Sequence, residues 1–438
     1  MKKSIIFLSI LLFAADLVRG QDQDEWTLEK CIEYAYTQNI TIRKSELANR
    51  RYEIYADQTK AQRFPSLNAS ANQNFNWTNS TAGSGSGLTG SDGSSFSVSS
   101  GITVFGASKI TNQIRQSEMD IQSGVLSLET TKESISLSIL NAFLQVLYAG
   151  EQVKNSEKQI ESTEGQVNLA AERLLLKGIS QADYAQVKAQ LASEKFTLAN
   201  AQSQLAIARI NLMQLMELPV TDSFKISHPA LAETLNQNRV PDVKEIYEKA
   251  LSIKPQIKNA AINKEMAALD EKIAKAAYFP SVSASAGIGT SYSSKLSDTY
   301  FNQIGNGLSP SVGLSLSIPV YQKKQVKTSV AIAKIGYTDA ELSEINTRNE
   351  LRKNIEQACQ DVISAQIEYE ASLESYNATL ESSLQSDEKF RQGMINSVDY
   401  LVTKTSLIAA ESKLLQTKYN LIFSYKILDF YSGTPLTL

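Results

Sequence analysis

Four short stretches of the chain alternate apolar and polar residues with a period of two. Leu67, Ala69, Ala71, Phe75 and Trp77 interleave with Asn68, Ser70, Asn72, Asn74 and Asn76. Phe96, Val98, Ile102 and Val104 oppose Ser95, Ser97, Ser99 and Thr103, and Val282, Ala284, Ala286 and Ile288 oppose Ser281, Ser283, Ser285 and Gly287. In the last stretch Val312, Leu314, Leu316 and Ile318 oppose Ser311, Gly313 and Ser315. Side chains alternate across a strand, so each stretch predicts a strand with one apolar and one polar face. The expected strands are 66–77, 95–104, 281–292 and 311–320, each near the ten or so residues a tilted strand needs to cross a bilayer. A half-buried soluble sheet would alternate too. Two details favour the membrane: the polar faces hold Ser, Asn and Gly without charges, and Phe75, Trp77, Tyr292 and Tyr321 cluster near strand ends like an interfacial girdle. The Gly/Ser-rich 82–95 and the polar 293–309 are then expected as loops on the cell exterior.

A second pattern is written over the first, because the chain repeats itself. Phe64-Pro65-Ser66 recurs as Phe279-Pro280-Ser281, an offset of 215, with Ala-Ser-Ala three residues on in both copies. Upstream, Ala35 matches Ala250 and Ile42 matches Ile257. Downstream the offset is 216: Ile102-Thr103-Val104-Phe105 matches Ile318-Pro319-Val320-Tyr321, and Asp183-Tyr184 matches Asp399-Tyr400. Repeats at 21–238 and 239–438 are expected to be two copies of one structural unit, each ordered helix, two strands, very long helix, turn, helix.

Residues 27–62 and 242–277 are helical in pattern and stop at the Phe-Pro pairs, since proline disfavours a helical residue before it. The stretches 107–177 and 321–391 contain no proline and keep a seven-residue period. Ile139, Val146, Val153, Ile160, Val167 and Leu174 form one stripe, and Ala142, Ala149, Ser156, Thr163 and Ala170 a second, three places on. The other repeat has Ile355, Val362, Tyr369, Tyr376 and Phe390 beside Ala358, Ala365, Ser372, Thr379 and Ser386. This is coiled-coil register with a small-residue seam, and by itself it fits an ordinary structural coiled coil as well. A helix over 107–177 would be roughly 105 Å long, and helices over 27–62 and 182–217 roughly 54 Å each. Two short rods stacked end to end match one long rod, which suggests a cylinder with alternating one-piece and two-piece staves. The final helix is expected over 397–431, and the proline-bearing segment 219–241 bridges the repeats.

Composition narrows the setting. Lys2 and Lys3 precede an apolar run from Ile5 to Ala15, with Gly20 before a polar start, so residues 1–20 read as an export signal. Its loss removes Lys2, Lys3, Arg19 and Asp16, taking the formal charge from −3 to −5. That acidic balance, without a Lys/Arg stripe, argues against a nucleic-acid partner. Beyond the signal no run of eighteen apolar residues occurs, so a spanning helix is not expected. Cys31 and Cys359 cannot build a disulfide framework, and His228 is the single histidine. Metal catalysis and histidine-activated nucleophiles have almost no material to work with, no cofactor motif is present, and the chain is not expected to be an enzyme.

Four strands cannot close a barrel, because even eight leave room only for interior side chains, and lipid does not tolerate open edges. Association with further copies follows. The expected fold is therefore α+β: an internally duplicated chain with a long α-helical coiled-coil barrel and a transmembrane β-barrel to which each chain gives four strands.

Each long helix ends in a related tip. The first reads Lys177-Gly178-Ile179-Ser180-Gln181-Ala182-Asp183-Tyr184, the second Arg391-Gln392-Gly393-Met394-Ile395-Asn396-Ser397-Val398-Asp399-Tyr400. The glycines are expected to supply the positive-φ exit from the helix, and Ser or Asn with Asp to start the next one. With the opening helix Leu28–Asn39, the Phe-Pro-Ser strand starts and the duplication, these tips resemble those of TolC-like outer-membrane factors, over essentially all of residues 26–433. The resemblance implies a homotrimer with a 12-strand barrel in the outer membrane of a Gram-negative bacterium over a periplasmic helical tunnel. It further implies a closed tip that docks on a periplasmic adaptor (membrane fusion) protein and an inner-membrane transporter, in efflux or type I secretion. Lys177, Gly178, Ile179, Gly393 and Met394 would be docking positions.

Asp183 and Asp399 match the family's tip aspartates, six residues after the glycine at Asp399 but five at Asp183. Tripled by symmetry, Asp399 would ring the pore with carboxylates and concentrate cations. A second family aspartate, one turn on, is Val402 here, and the tyrosine and arginine of the family's gating network are Phe390 and Ile395, with Arg391 as a partial substitute. These departures argue against a latch of polar links and for a tip held by packing of Phe390, Ile395 and their neighbours. An exported coiled-coil scaffold without a pore is the alternative, and a binding protein or enzyme using a tunnel cleft a more remote one.

Overall fold

The structure is a computed structural model and describes residues 25–80, 87–219, 224–229 and 242–438. The expected export signal, the boundary between the repeats and most of the 219–241 segment lie outside them. In chain order the elements are α1 (Leu28–Gln38), α2 (Ile40–Ala61), β1 (Ser66–Ser80), β2 (Gly87–Phe105), α3 (Lys109–Leu175), α4 (Gln181–Leu215), α5 (Val243–Ile253) and α6 (Pro255–Ala276). Then follow β3 (Ser281–Ser293), α7 (Tyr300–Asn306), β4 (Ser309–Ser317), α8 (Gln325–Arg391) and α9 (Ser397–Ser432). Among the described residues no helix is long and apolar enough to cross a membrane.

The opening helix of each repeat is not continuous. Residues 27–62 break at Asn39, where ψ is 126°, and 242–277 break at the equivalent Lys254, where ψ is 124°. Pro255 explains the second break, since the residue before a proline avoids the helical region. In the first, the Asn39 side chain caps the new helix, its Oδ1 accepting from the N–H groups of Thr41 (2.8 Å) and Ile42 (3.3 Å).

The chain divides into two compact units, and each draws on both repeats. One comprises the described residues of Met1–Lys44, Glu129–Lys254 and Arg348–Leu438; the other comprises Ser45–Leu128 and Pro255–Thr347. In the first unit the core joins Leu28 and Cys31 of α1, Phe143 and Leu147 of α3, Met213 of α4 and Ile422 of α9. The linker fragment 224–229 enters it: Trp26 and Ile226 form a parallel bridge, and Phe224 is buried against the Trp26 ring. The small-residue seam is buried here at Ala149, Ser156, Thr163 and Ala170, and at Ala358, Ala365 and Ser372 of the other repeat.

The second unit carries one antiparallel sheet in the order β1-β2-β3-β4. Its apolar face stays bare, with Leu67, Phe75, Trp77, Val312, Leu314 and Leu316 exposed, while Ser70 and Ser97 hydrogen-bond across strands on the polar face. Three boundaries differ from the alternation. The β1–β2 ladder runs on to Ser80↔Gly87, so 87–95 is strand and not loop, because backbone pairing continues where the apolar period has lapsed. β4 ends at Ser317, before Pro319, and the expected loop 293–309 contains α7.

Candidate functional site

The candidate site lies in the first unit, where the two long helices turn. α3 and α8 end in the same motif. Gly178 N–H bonds Arg173 C=O (2.8 Å) and Lys177 N–H bonds Leu174 C=O (3.0 Å); Met394 N–H bonds Lys389 C=O (2.8 Å) and Gly393 N–H bonds Phe390 C=O (3.1 Å). This double pattern requires a left-handed residue one place beyond the cap. Gly393 fills that place with φ 74°, but in the first tip the residue is Lys177, with φ 57°, and not the expected Gly178. The helix ends one residue earlier relative to its glycine than the sequence suggested. Counted from the left-handed residue, Asp183 and Asp399 are both six places on, so their uneven spacing from glycine has no structural counterpart.

The next helices start alike, with Ser180 capping α4 and Asn396 capping α9. The aspartates diverge from there. Asp183 accepts from the Ser180 hydroxyl (2.6 Å) and backbone N–H (3.2 Å), and its other oxygen accepts from the buried Ser397 hydroxyl of the second hairpin (2.6 Å). The Ser180 hydroxyl first, then that of Ser397, hold its carboxyl below the usual range. The exposed Asp399 gives its backbone N–H to Asn396, and its carboxylate has no partner among the described residues.

Behind the tips the hairpins are joined by packing and by polar links. Phe390 is buried and stacks on Tyr400, with centroids 4.6 Å apart and planes 16° apart. Arg173 lies over the Phe390 ring and caps the end of α8, donating to the carbonyls of Phe390 (2.9 Å) and Arg391. Arg391 pairs with Asp387 (3.0 Å) on its own helix. Gln166 donates to the Tyr400 hydroxyl and to Asp387 (3.4 Å). Burial, then the Asp387 carboxylate, push the Tyr400 phenol up from its ordinary value.

One level further in, Lys404 is 4 % exposed and Glu194 6 %. The ammonium donates to Thr163 Oγ1 (2.6 Å), whose hydroxyl donates to Glu194, and the two charges are 4.0 Å apart. Gln190 (2.9 Å) and Gln159 (3.3 Å) also donate to Glu194. Burial lowers the Lys404 pKa, against the pull of Glu194 and Asp387.

The structure thus ties Asp183 to Ser397 and Phe390 to Tyr400 and leaves Val402, Met394 and Asp399 exposed, with Ile395 half-buried. Lys177 and Gly178 are exposed beside Leu175 and Leu176, which are more than four-fifths exposed, and Ile179 is half-buried. Packing at Phe390 is present, but polar links accompany it. Arg173, Gln166, Thr163, Glu194 and Lys404 were not singled out from sequence. The available signal was the pair of hydroxyls, Ser156 and Thr163, within a small-residue heptad seam.

A duplicated chain with two such hairpins and an open, bare-faced sheet has the fold of outer-membrane channel subunits. The chain belongs to the outer membrane efflux protein family, whose model matches residues 31–217 and 246–434, one match in each repeat. Among solved structures, CusC is 16 % identical with a TM-score of 0.78, the match covering 92 % of either chain. The outer-membrane channel OprN is 18 % identical, with a TM-score of 0.77 over 95 % of this chain and 92 % of its own. The CmeC outer membrane channel of Campylobacter jejuni is 16 % identical, with a TM-score of 0.77 over 94 % and 87 %. At these identities the likeness is one of fold. No curated protein sequence matches the chain significantly.

Proposed function

We propose that the chain is one third of a passive exit duct in the outer membrane, serving a tripartite efflux pump or a type I secretion system. The observation that carries this is the sheet: β1 and β4 are free edges, and the apolar face is bare. In lipid such a face is stable, but such edges are not, so copies must seal one another. Three copies supply twelve strands, wide enough for a water-filled lumen. A duct moves its cargo down the path a pump provides and needs no catalytic group.

The hairpin tips form the periplasmic mouth in this reading. The exposed Lys177, Gly178, Gly393 and Met394, with Ile179, meet the adaptor, and an inner-membrane transporter supplies the energy. Phe390, Ile395 and the polar links around Arg173 hold each protomer's two hairpins together, with Arg391 and Val402 at the mouth. Asp399 is the pore carboxylate, and Asp183 is committed to structure.

Purified protein should produce ion-permeable openings in planar bilayers. A water-soluble monomer that never conducts would favour the pore-free scaffold. In the conducting protein, Asp399→Ala should weaken block by multivalent cations, whereas unchanged block would return Asp399 to a purely helix-starting role.

A further inference from the structure

The corner that leads from the sheet into each long helix is built from two successive left-handed residues, Ala107–Ser108 (φ 51° and 61°) in the first repeat and Lys323–Lys324 (φ 47° and 65°) in the second. The hydrogen bonding is the same in both. Lys109 N–H bonds Gly106 C=O (2.9 Å) and Gln325 N–H bonds Gln322 C=O (2.8 Å). Because Ala and Ser make the first corner, the backbone does not call for lysine in the second. Long side chains gain nothing from this conformation, which L-residues other than Gly and Asn or Asp rarely adopt.

The lysines also sit against the local field. Lys323, Lys324 and Lys327 cluster around the start of α8, whose first turn holds no acidic residue. The N-terminal end of a helix carries partial positive charge and disfavours cations. All three side chains are exposed, and none has an ion-pair partner among the described residues. Three exposed cations without such a partner form a basic patch that attracts an anion such as phosphate.

The neighbours say where that phosphate comes from. Val320 and Tyr321, shortly before the pair, are 92 % and 80 % exposed, and β4 ends at Ser317, with the exposed Leu316 and Ile318 on its apolar side. Ser281↔Ser317 is the last rung of the sheet on its helix side, next to the exposed Tyr278 and Phe279. Apolar side chains for the acyl region, aromatic rings at its border and then a basic cluster follow the order of a lipid leaflet.

We propose that Lys323, Lys324 and Lys327 bind the phosphate headgroup of an anionic phospholipid at the helix-side border of the sheet. The assignment rests on the reading of the sheet as a membrane wall. The test uses the full-length protein in mixed micelles and measures retention of fluorescent phosphatidylglycerol relative to phosphatidylcholine. K323A/K324S rewrites the second corner as the first, a sequence this chain already folds into that backbone.

Wild type should prefer phosphatidylglycerol, and K323A/K324S should lose roughly five- to twenty-fold of that preference, while K323R/K324R keeps it. An unchanged preference in K323A/K324S overturns the site. Loss of the preference to inorganic phosphate, as complete as in the variant, assigns the cluster to free anions and overturns the lipid. Conductance separates this from the parent reading: a conducting wild type without lipid preference sinks only the headgroup site. A wild type that enters no bilayer sinks the duct, whatever the micelles show.

Discussion

The two hairpin tips share a backbone and differ in chemistry. Lys177 and Gly393 occupy the same left-handed position, Ser180 and Asn396 the same cap, and Asp183 and Asp399 the same place in the first turn. Yet Asp183 is bound to Ser180 and to Ser397 of the other hairpin, while Asp399 stands free. The same contrast recurs at the other end of these helices. Glu217 (φ 56°) and Gly433 (φ 77°) are equivalent left-handed exits, and Asn39 and Lys254 are equivalent breaks. The Asn39 amide donates to Leu215 C=O (2.8 Å) at the end of α4, whereas the Lys254 ammonium lies 3.2 Å from the Phe430 ring centroid near the end of α9 and bonds Glu133 (3.1 Å). Duplication has preserved the turns, whose geometry admits few solutions, and has left the side chains free to become either structural ties or exposed functional groups.

The largest effect should come from the links that make the hairpins one body. Lys404→Ala leaves Glu194 buried without its cation and should lower stability by roughly 3–5 kcal/mol in denaturant unfolding. The double change Lys404→Met with Glu194→Gln should recover much of that loss. If both variants unfold like wild type, the buried pair is not what ties the hairpins.

The two left-handed residues should then respond with opposite signs. Gly393→Ala forces a Cβ into φ 74° and should cost about 1–2 kcal/mol. Lys177→Gly relieves that strain in the first tip and should be neutral or stabilising by up to about 1 kcal/mol. Equal destabilisation by both would show that the tips are not equivalent after all.

The smallest effect concerns pH. The folded Asp183 carboxyl titrates below its ordinary 3.8, so it stabilises the protein above that value and the contribution fades as pH falls through the lower folded pKa. Asp183→Asn should flatten the stability profile in that acid window. Thermal melts across acid pH check this, and a profile unchanged in Asp183→Asn would remove that carboxylate from its structural role.

Much of the fold could be read before any coordinates. Alternation located the four strands, Phe-Pro pairs marked the ends of the opening helices, and the heptads identified the two long ones. Of the helix breaks, only Lys254 carried a local signal, in Pro255, and Asn39 is recognisable as its counterpart only through the repeat. The shift from Gly178 to Lys177 was out of reach because the left-handed place is counted from where the helix stops, and packing sets that by a single residue. The hairpin links were hidden more deeply, since Lys404 and Thr163 lie 241 positions apart.

Period and the charge-free faces of the alternating stretches were determined by the sequence alone, because each depends on residues a few places apart, where backbone geometry dictates which side chains share a face. The duplication is a likeness of residues at offsets of 215 and 216 and needs no geometry at all. Which aspartate is tied down and which is left open was decided only in three dimensions. Ser180 and Asn396 are both competent caps, but only Ser180 also donates to its aspartate, and Ser397, brought in from the far repeat and buried against Asp183, adds the tie that no local sequence could show.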